Sequence, residues 1–394
     1  MRKTGPLFPH LQYCTRCCIP ETQEGVKFDE MGICQACQSS EQKIHINWID
    51  REKQLRKILE EAKSKAGDNY DCLVPMGGGK DGLFQLHILT KIYEMKPLAV
   101  TFSINWWSET GWHNLQNTLE KLSVDHISFT PNRTLINKLV KKSVEKTGDV
   151  SWHDHAGTGS FPLQIAVKYK IPLLVWGESI AEVSGRATYD MPIHKFDREY
   201  FIKQSAKLRA DQMIGDDLTS KDLYPFTVPS EEEVNNIGMS GIHLGDYIFW
   251  DEERQAEFVR DIYGWKETQA EGTYKRYKSI DDIMYGMHDF TCYLKRGYGR
   301  CTMQASIDVR NGLLTRGEAF DLIRKKDPER PEALDYYLKI TGSSEKEFYR
   351  TMEKLRVPAL KGVKIPINKK KCKNEEKILP FPEQLIEKFS QKHE

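Results

Sequence analysis

Tyr70-Asp71-Cys72-Leu73-Val74-Pro75-Met76, running into Gly77-Gly78-Gly79-Lys80-Asp81-Gly82, decides the fold. The first seven residues read as a short apolar strand, the glycines as a loop, and Leu83 to about Tyr93 as an amphipathic helix. Consecutive backbone amides without Cβ atoms form an anion nest, and the following helix adds its positive N-terminus. The pattern is a phosphate cradle. It has neither the G-x-x-x-x-G-K-[ST] spacing nor G-x-G-x-x-G, so the two common nucleotide-loop fingerprints are excluded.

Further strands and helices alternate outward from this unit. Pro97 to Ser103 reads as a second buried strand, Gly111 to Leu122 as a helix and Asp125 to Thr130 as a third strand. Thr134 to Glu145 and Ser160 to Tyr169 read as helices, and Ile171 to Trp176 as a fourth strand. Such alternation predicts right-handed βαβ units, hence an α/β fold with a Rossmann-like parallel sheet. Ligands of these sheets bind beyond the strand C-termini, where the glycine loop, Ser103 and Gly177-Glu178 all fall. Beyond about residue 186 the pattern turns helical, with helices expected at 199–213, 251–263, 280–296, 316–326, 331–340 and 345–355. Five regions follow: a cysteine knuckle (1–45), a linking helix (46–69) and a core with the phosphate cradle (70–185), then a ligand-binding, core-completing region (186–315) and a helical C-terminal region (316–394). The last region ends in a mobile lysine-rich tail.

A chain of 394 residues is long enough for two or three domains with real cores. Its formal net charge of +1 gives no global footprint for nucleic acid. No apolar stretch approaches membrane-spanning length, and no apolar run follows Met1-Arg2-Lys3, so a cytoplasmic protein without a signal peptide is expected. Five of the nine cysteines fall within residues 14–37. Cys14-x2-Cys17 and Cys34-x2-Cys37, sixteen residues apart, match a two-knuckle zinc pattern whose four thiolates close a structural site. Replacement of one ligand by Cys18 or His10, or plain burial of the thiols, are the alternatives.

With these pieces assembled, the chain resembles the N-acetyl sugar amidotransferase family, PP-loop ATP pyrophosphatases of bacterial surface-glycan biosynthesis. The resemblance runs from about Tyr13 to Asn368. Besides the loop and the cysteine pairs it rests on Val100-Thr101-Phe102-Ser103, Gly111 with Asn114-Leu115-Gln116-Asn117, and Ile171-Pro172-Leu173-Leu174-Val175-Trp176-Gly177-Glu178. Downstream it rests on Glu271-Gly272-Thr273-Tyr274, Gly297-Tyr298-Gly299-Arg300 and Ala305-Ser306-Ile307-Asp308-Val309-Arg310-Asn311-Gly312. The family loop looks like S-G-G-K-D-S, and both serine positions are glycine here, at Gly77 and Gly82. The amides survive that change and two hydroxyl donors to phosphate are lost.

The resemblance implies an AMP- and pyrophosphate-forming conversion of a sugar acetamido group to acetamidino through an O-adenylyl imidate. The sugar would be a nucleotide-linked diacetamido sugar or a nonulosonic acid. Cofactors are ATP, Mg²⁺ and structural Zn²⁺. Gly77, Gly78, Gly79, Lys80, Asp81 and Gly82 would hold the phosphates, with Lys80 neutralising charge on the leaving group. Asp81 either orients Mg²⁺ or caps the helix, and Ser103 either contacts the nucleoside or ends a strand. Glu178 is expected to touch substrate or Mg²⁺. Trp106, Trp107 and Trp112 either wall a pocket or pack in the core. His155, Arg300 and Arg310 are candidate substrate contacts, with ordinary ion pairs the alternative for the arginines. Cys72, Cys292 and Cys301 show no glutaminase elbow. The family therefore implies separate ammonia-supplying partners, resembling the glutaminase and cyclase subunits of imidazole glycerol phosphate synthase. The C-terminal helices are candidates to bind that donor or to form a homodimer. A PP-loop tRNA-thiolating enzyme and a non-catalytic nucleotide- or sugar-binding scaffold are the competing readings.

Overall fold

A computed structural model describes residues 5–103, 105–183, 187–192, 200, 207–215 and 217–368. Strands β1 (Cys72–Pro75), β2 (Pro97–Phe102), β3 (Asp125–Phe129), β4 (Leu173–Trp176) and β5 (Ser240–His243) form one sheet in the order β3-β2-β1-β4-β5. Every pairing is parallel, with Val74 beside Ala99, Leu98 beside Asp125, Leu73 beside Leu174 and Val175 beside Ile242. The chain is thus α/β with a Rossmann-like sheet whose order reverses between β1 and β4.

Both faces of the sheet are covered, as the near-continuous apolar strands require. Leu73, Leu98, Val100 and Leu174 enter one core, while Cys72, Val74, Ala99, Leu173 and Val175 enter the other. On the first face pack α5 (Arg133–Thr147) and α6 (Trp152–Tyr169), bringing Ile136, Leu139, Leu163 and Ala166. On the second pack α2 (Trp48–Ala66), α3 (Lys80–His87) and α4 (Glu109–Leu122), bringing Leu55, Leu59, Leu83, Leu86 and Leu115. Each such leucine contributes about 1.5–3 kcal/mol on burial. Polar caps fix the helix starts: the Ser108 side chain accepts from Gly111 N and that of Asn132 from Leu135 N.

α1 (Gln35–Lys43) closes the cysteine knuckle, and α7 (Ile180–Val183) and α8 (Glu231–Asn236) are short. α9 (Glu252–Tyr263) joins the second core. α10 (Tyr285–Arg296), α13 (Ala333–Thr341) and α14 (Glu345–Lys354) extend the first core through Met287, Phe290, Leu334, Tyr337, Phe348 and Met352. α11 (Arg300–Arg310) and α12 (Arg316–Lys326) form a smaller cluster with Cys18, Cys301, Ala305 and Phe320.

Several boundaries differ from those expected. α3 begins at Lys80 rather than Leu83, because extended Gly79 serves as its N-cap, and it runs on into a π-turn over Ile88–Ile92. α6 begins at Trp152, eight residues before Ser160, and keeps Pro162 inside it. β5 was not anticipated, since Ser240–His243 is four residues long with a glycine and no apolar run. The helix expected over 280–296 starts only at Tyr285, leaving residues 277–284 as an irregular strap. Much of the helix expected at 199–213 lies outside the described residues; within them, Ala210–Met213 is a 3-10 turn. The lysine-rich tail beyond 368 also lies outside them. No helix among the described residues is long and apolar enough to cross a membrane.

Candidate active site

A cavity of about 560 Å³ opens at the C-terminal ends of β1, β2 and β4. Pro75 and Met76 bring in the glycine loop, Val100 to Phe102 form one wall and Trp176-Gly177-Glu178 another. From the far side the strap and α10 add Tyr277, Lys278, Asp281, Tyr285 and His288, and α11 adds Arg300. Asp154, His155 and Thr158 of α6 complete it.

None of Gly77, Gly78 and Gly79 adopts a left-handed φ. The loop needs glycine for room rather than for conformation. A Cβ on Gly78 would run into the Gly111 carbonyl oxygen, and one on Gly82 would stand 2.9 Å from Met76 Cβ. A Cβ on Gly79 would meet nothing within 4 Å. The Gly78 carbonyl accepts from Trp265 Nε1 at 3.1 Å, which pins the loop from behind. At Gly77 the space belongs to Asp281, whose Oδ2 would lie 2.8 Å from a Cβ there. Burial raises the pKa of the Asp281 carboxyl, against the pull of the nearby Gly78 amide. A side chain of the protein thus lies against the loop, in the cavity that would receive phosphate.

Lys80 is 1% exposed, pairs with Asp81 Oδ1 and lies 5.5 Å from the Tyr277 ring centroid. Buried charges need such partners. Lys278 Nζ sits between Glu178 at 2.9 Å and Glu252 at 2.6 Å. Burial pushes Glu178 up to about 7 against the attraction of Lys278, whereas at Glu252 burial is outweighed by the charges of Lys278 and Lys80 and the carboxyl is held low. Burial also pushes Asp154 up to about 7 and His155 down to about 4. His288 Nδ1 bonds Asp149 Oδ1 at 2.8 Å. Burial pulls the His288 pKa down, but the Asp149 charge and hydrogen bond, with Asp289, outweigh it and raise it.

Of the sequence-predicted positions, Gly77, Gly79, Lys80, Asp81, Gly82, Trp107, His155, Glu178 and Arg300 line this one cavity. Gly78 lies directly behind it. Two positions differ. Ser103 is 1% exposed and does not line the cavity; its Oγ accepts from Trp107 Nε1 at 3.0 Å, so it positions the tryptophan that does. Arg310 is not at the cavity either: it donates to the Glu182 carbonyl at 3.3 Å and its charge acts on Cys17. Trp106 is buried against His153 and Trp112 is 43% exposed, so only Trp107 of the three faces the cavity. Sequence reasoning missed Gln85, Asp149, Tyr277, Lys278, Asp281, Tyr285 and His288. The strap residues were hidden by the helical reading of 280–296, and nothing in the sequence links Asp149 to His288, 139 positions away.

Cys14, Cys17, Cys34 and Cys37 are buried with their sulfurs all within 4.8 Å of one another. The Cys14–Cys37 and Cys17–Cys34 sulfurs are 3.8 and 3.7 Å apart. A tetrahedral ion with bonds of about 2.3 Å needs edges of about 3.8 Å, so this set could hold a metal ion without rearrangement. Amides of Cys34 and Cys17 donate to Cys14 Sγ. Arg316 of α12 donates to the Cys14 and Cys17 carbonyls at 2.9 Å each, and Cys18 N to Ser306 Oγ at 3.2 Å, fastening the knuckle to the C-terminal helices.

Residues 271–369 match the family model described as LPS biosynthesis protein WbpG-like, C-terminal domain. Tyr277, Lys278, Asp281, Tyr285, His288 and Arg300 all lie inside that span. A stretch of 105 residues, 27% of the chain, is 26% identical to "Uncharacterized protein MJ1599" of Methanocaldococcus jannaschii. The chain spans 37% of that relative's length. Among solved structures, NMN synthetase from Francisella tularensis aligns over 57% of this chain and 98% of its own, at 13% identity and a TM-score of 0.26, a likeness too distant to carry any argument.

Proposed function

We propose, from a chain whose C-terminal quarter is WbpG-like and whose glycine loop ends the first strand of a parallel sheet, that the protein is an ATP-using amidine synthase of LPS sugars. It would convert an acetamido group of a nucleotide-linked diacetamido sugar, or of a nonulosonic acid, to an acetamidino group. The observation that carries this reading is the shared cavity: one wall is the loop with Lys80, the other belongs to the WbpG-like domain.

An amide carbonyl is a poor electrophile, and its oxygen a poor leaving group. Transfer of AMP from ATP to that oxygen gives an imidate whose leaving group is AMP. The amides of the loop and of the first turn of α3 receive the pyrophosphate, with Lys80 beside them as counter-charge. Mg²⁺ would neutralise the phosphates, and Asp81, which lines the cavity, would hold it. Arg300, paired with Asp289 at 3.0 Å, offers a charged donor for a sugar carboxylate or phosphate. The cysteine set suits zinc, in a fastening rather than a chemical role. Ammonia would come from a partner glutaminase of the kind that feeds imidazole glycerol phosphate synthase.

The thiolating reading needs a reactive thiol beside the loop. Burial instead pushes the thiols of Cys72, Cys292 and Cys301 up, away from the thiolate. The scaffold reading draws on Asp281 occupying the loop, and one assay separates it. The full chain is incubated with ATP, Mg²⁺, ammonium and a panel of UDP-linked diacetamido sugars and nonulosonic acids, and AMP and sugar mass are followed. AMP formation matched by replacement of one sugar oxygen by NH is the expected result. ATP binding without AMP across the panel supports the scaffold.

A further inference from the structure

His288 is the first residue of the second turn of α10 and lines the cavity with 21% of its side chain open. Asp149, in the turn between α5 and α6, takes the other side of the ring. Its Oδ1 accepts from His288 Nδ1 at 2.8 Å and from Ser151 N at 2.9 Å, and Ser143 Oγ donates to its carbonyl. The carboxylate is therefore fixed by the backbone before it meets the imidazole. With Nδ1 engaged, the proton-accepting atom is Nε2, which has no protein partner among the described residues. His155 stands edge-on to the His288 ring at 5.2 Å and 89°. A half-buried carboxylate, an imidazole lining a cavity and a ring nitrogen without a protein partner are the parts of a general base with its orienting group.

Resting on the amidine-synthase reading, we propose that the Asp149–His288 pair is the proton shuttle of the amination step, with His288 Nε2 the exchanging atom. Ammonia's lone pair forms the new C–N bond, and the imidate C=N pair withdraws onto its nitrogen. Nε2 takes one proton from the added nitrogen and returns it to the former imidate nitrogen. The C–O bond then breaks, its pair leaving on the phosphate oxygen of AMP, and the amidinium remains. No proton is gained or lost by His288 over the cycle. Asp149 is a positioning residue: it fixes the tautomer that leaves Nε2 free and supports the charged imidazolium. The groups facing His288 are Asp149, His155 and Asp154 from the α5–α6 turn and α6, Asp289 from its own helix and Arg300 from α11. The acids raise its proton affinity and Arg300 opposes them.

The test separates the two half-reactions on the full chain, using whichever UDP-linked diacetamido sugar or nonulosonic acid supports AMP formation. Sugar-dependent exchange of labelled pyrophosphate into ATP reports adenylylation, and mass spectrometry with ammonium reports amidination. His288→Ala is expected to keep exchange within threefold of wild type and to lose amidination by about 10²–10⁴-fold. Asp149→Asn, at fixed free ammonia, is expected to move the acid limb of amidination to lower pH while leaving exchange unchanged. His288→Asn, closer in shape, serves if the alanine variant does not fold. Amidination within threefold of wild type in the His288 variants overturns the proposal. So does joint loss of exchange and amidination with an unchanged melting temperature, or an Asp149→Asn profile with an unmoved acid limb. Wild-type protein that catalyses no exchange with any sugar instead overturns the parent reading, and the shuttle with it.

Discussion

At the scale of single residues the loop glycines divide by what surrounds them. Gly78→Ala drives a methyl into the Gly111 backbone, which has no flexible end to yield. A loss of about 1–3 kcal/mol is expected in chemical denaturation. Gly79→Ala meets open space and should leave the denaturation midpoint within about 0.5 kcal/mol of wild type. Gly77→Ser restores the residue of the related loops, but its Cβ stands where Asp281 Oδ2 now lies. ATP affinity measured over the cycle of Gly77→Ser, Asp281→Ala and the double variant should show a coupling of about 1 kcal/mol or more, the double variant binding better than the sum predicts. Additivity of the two changes would show that they do not share the space.

At the scale of elements, α6 carries a penalty of its own. Asp154 is 7% exposed and burial raises it to about 7, above an unfolded value of about 3.9. The native state therefore binds the extra proton, and stability falls as pH rises from about 4 to about 7, the full penalty standing above 7. Asp154→Asn should stabilise the protein more at pH 8 than at pH 5, by about 1–3 kcal/mol in the difference, read by denaturation at each pH. An equal gain at both values would mean that Asp154 is ionised throughout. The same helix shows the limits of the sequence. Its apolar second half was legible from Ser160 onward, while Gly157 and Gly159 hid the first half that brings Asp154 and His155 to the cavity. Gly157 belongs there because the Phe102 ring fills the space of its missing Cβ. β1, β2 and β4 were legible because buried parallel strands are continuous apolar runs, and edge strand β3 from the alternation of Ile127 and Phe129 with polar residues. β5 was not, because Ser240, Gly241 and His243 leave Ile242 as its one large apolar residue. Lys80, Asp81 and Glu178 could be placed from strand ends alone, whereas the strap and the Asp149–His288 pair depend on tertiary contacts with no spacing rule.

At the scale of the whole molecule, the cavity exists only because the WbpG-like domain is held over the ends of the strands, and the cysteine knuckle is one of its fastenings. Arg316 clasps the knuckle carbonyls from α12, and Lys43 of α1 pairs with Glu182 of α7 at 2.9 Å, next to β4. Metal loss should therefore act on stability rather than on chemistry. Cys37→Ser, or treatment with a strong chelator, should lower the melting temperature by about 5 °C or more. Any protein still folded should retain its KM for ATP. A melting temperature unchanged by chelation, in protein assayed to carry metal beforehand, would remove the fastening role.

Asp281 gives this architecture a thermodynamic consequence. The loop is an ion exchanger: a phosphate that arrives must displace the Asp281 carboxylate from the space beside Gly77. The carboxylate, already raised in proton affinity by burial, is raised again by a neighbouring phosphate, so nucleotide binding should draw a proton from the medium. Titration calorimetry in buffers of different ionisation heat would show that uptake, and Asp281→Asn would abolish it. Asp281 cannot move alone, since its carbonyl receives Ser108 N at 3.1 Å and the next residue, Asp282, bridges to Trp107 on the cavity wall. By reciprocity, whatever factor nucleotide binding applies to the affinity of that wall for sugar, sugar applies to nucleotide. The size of that mutual effect is then set by the cost of evicting a single side chain.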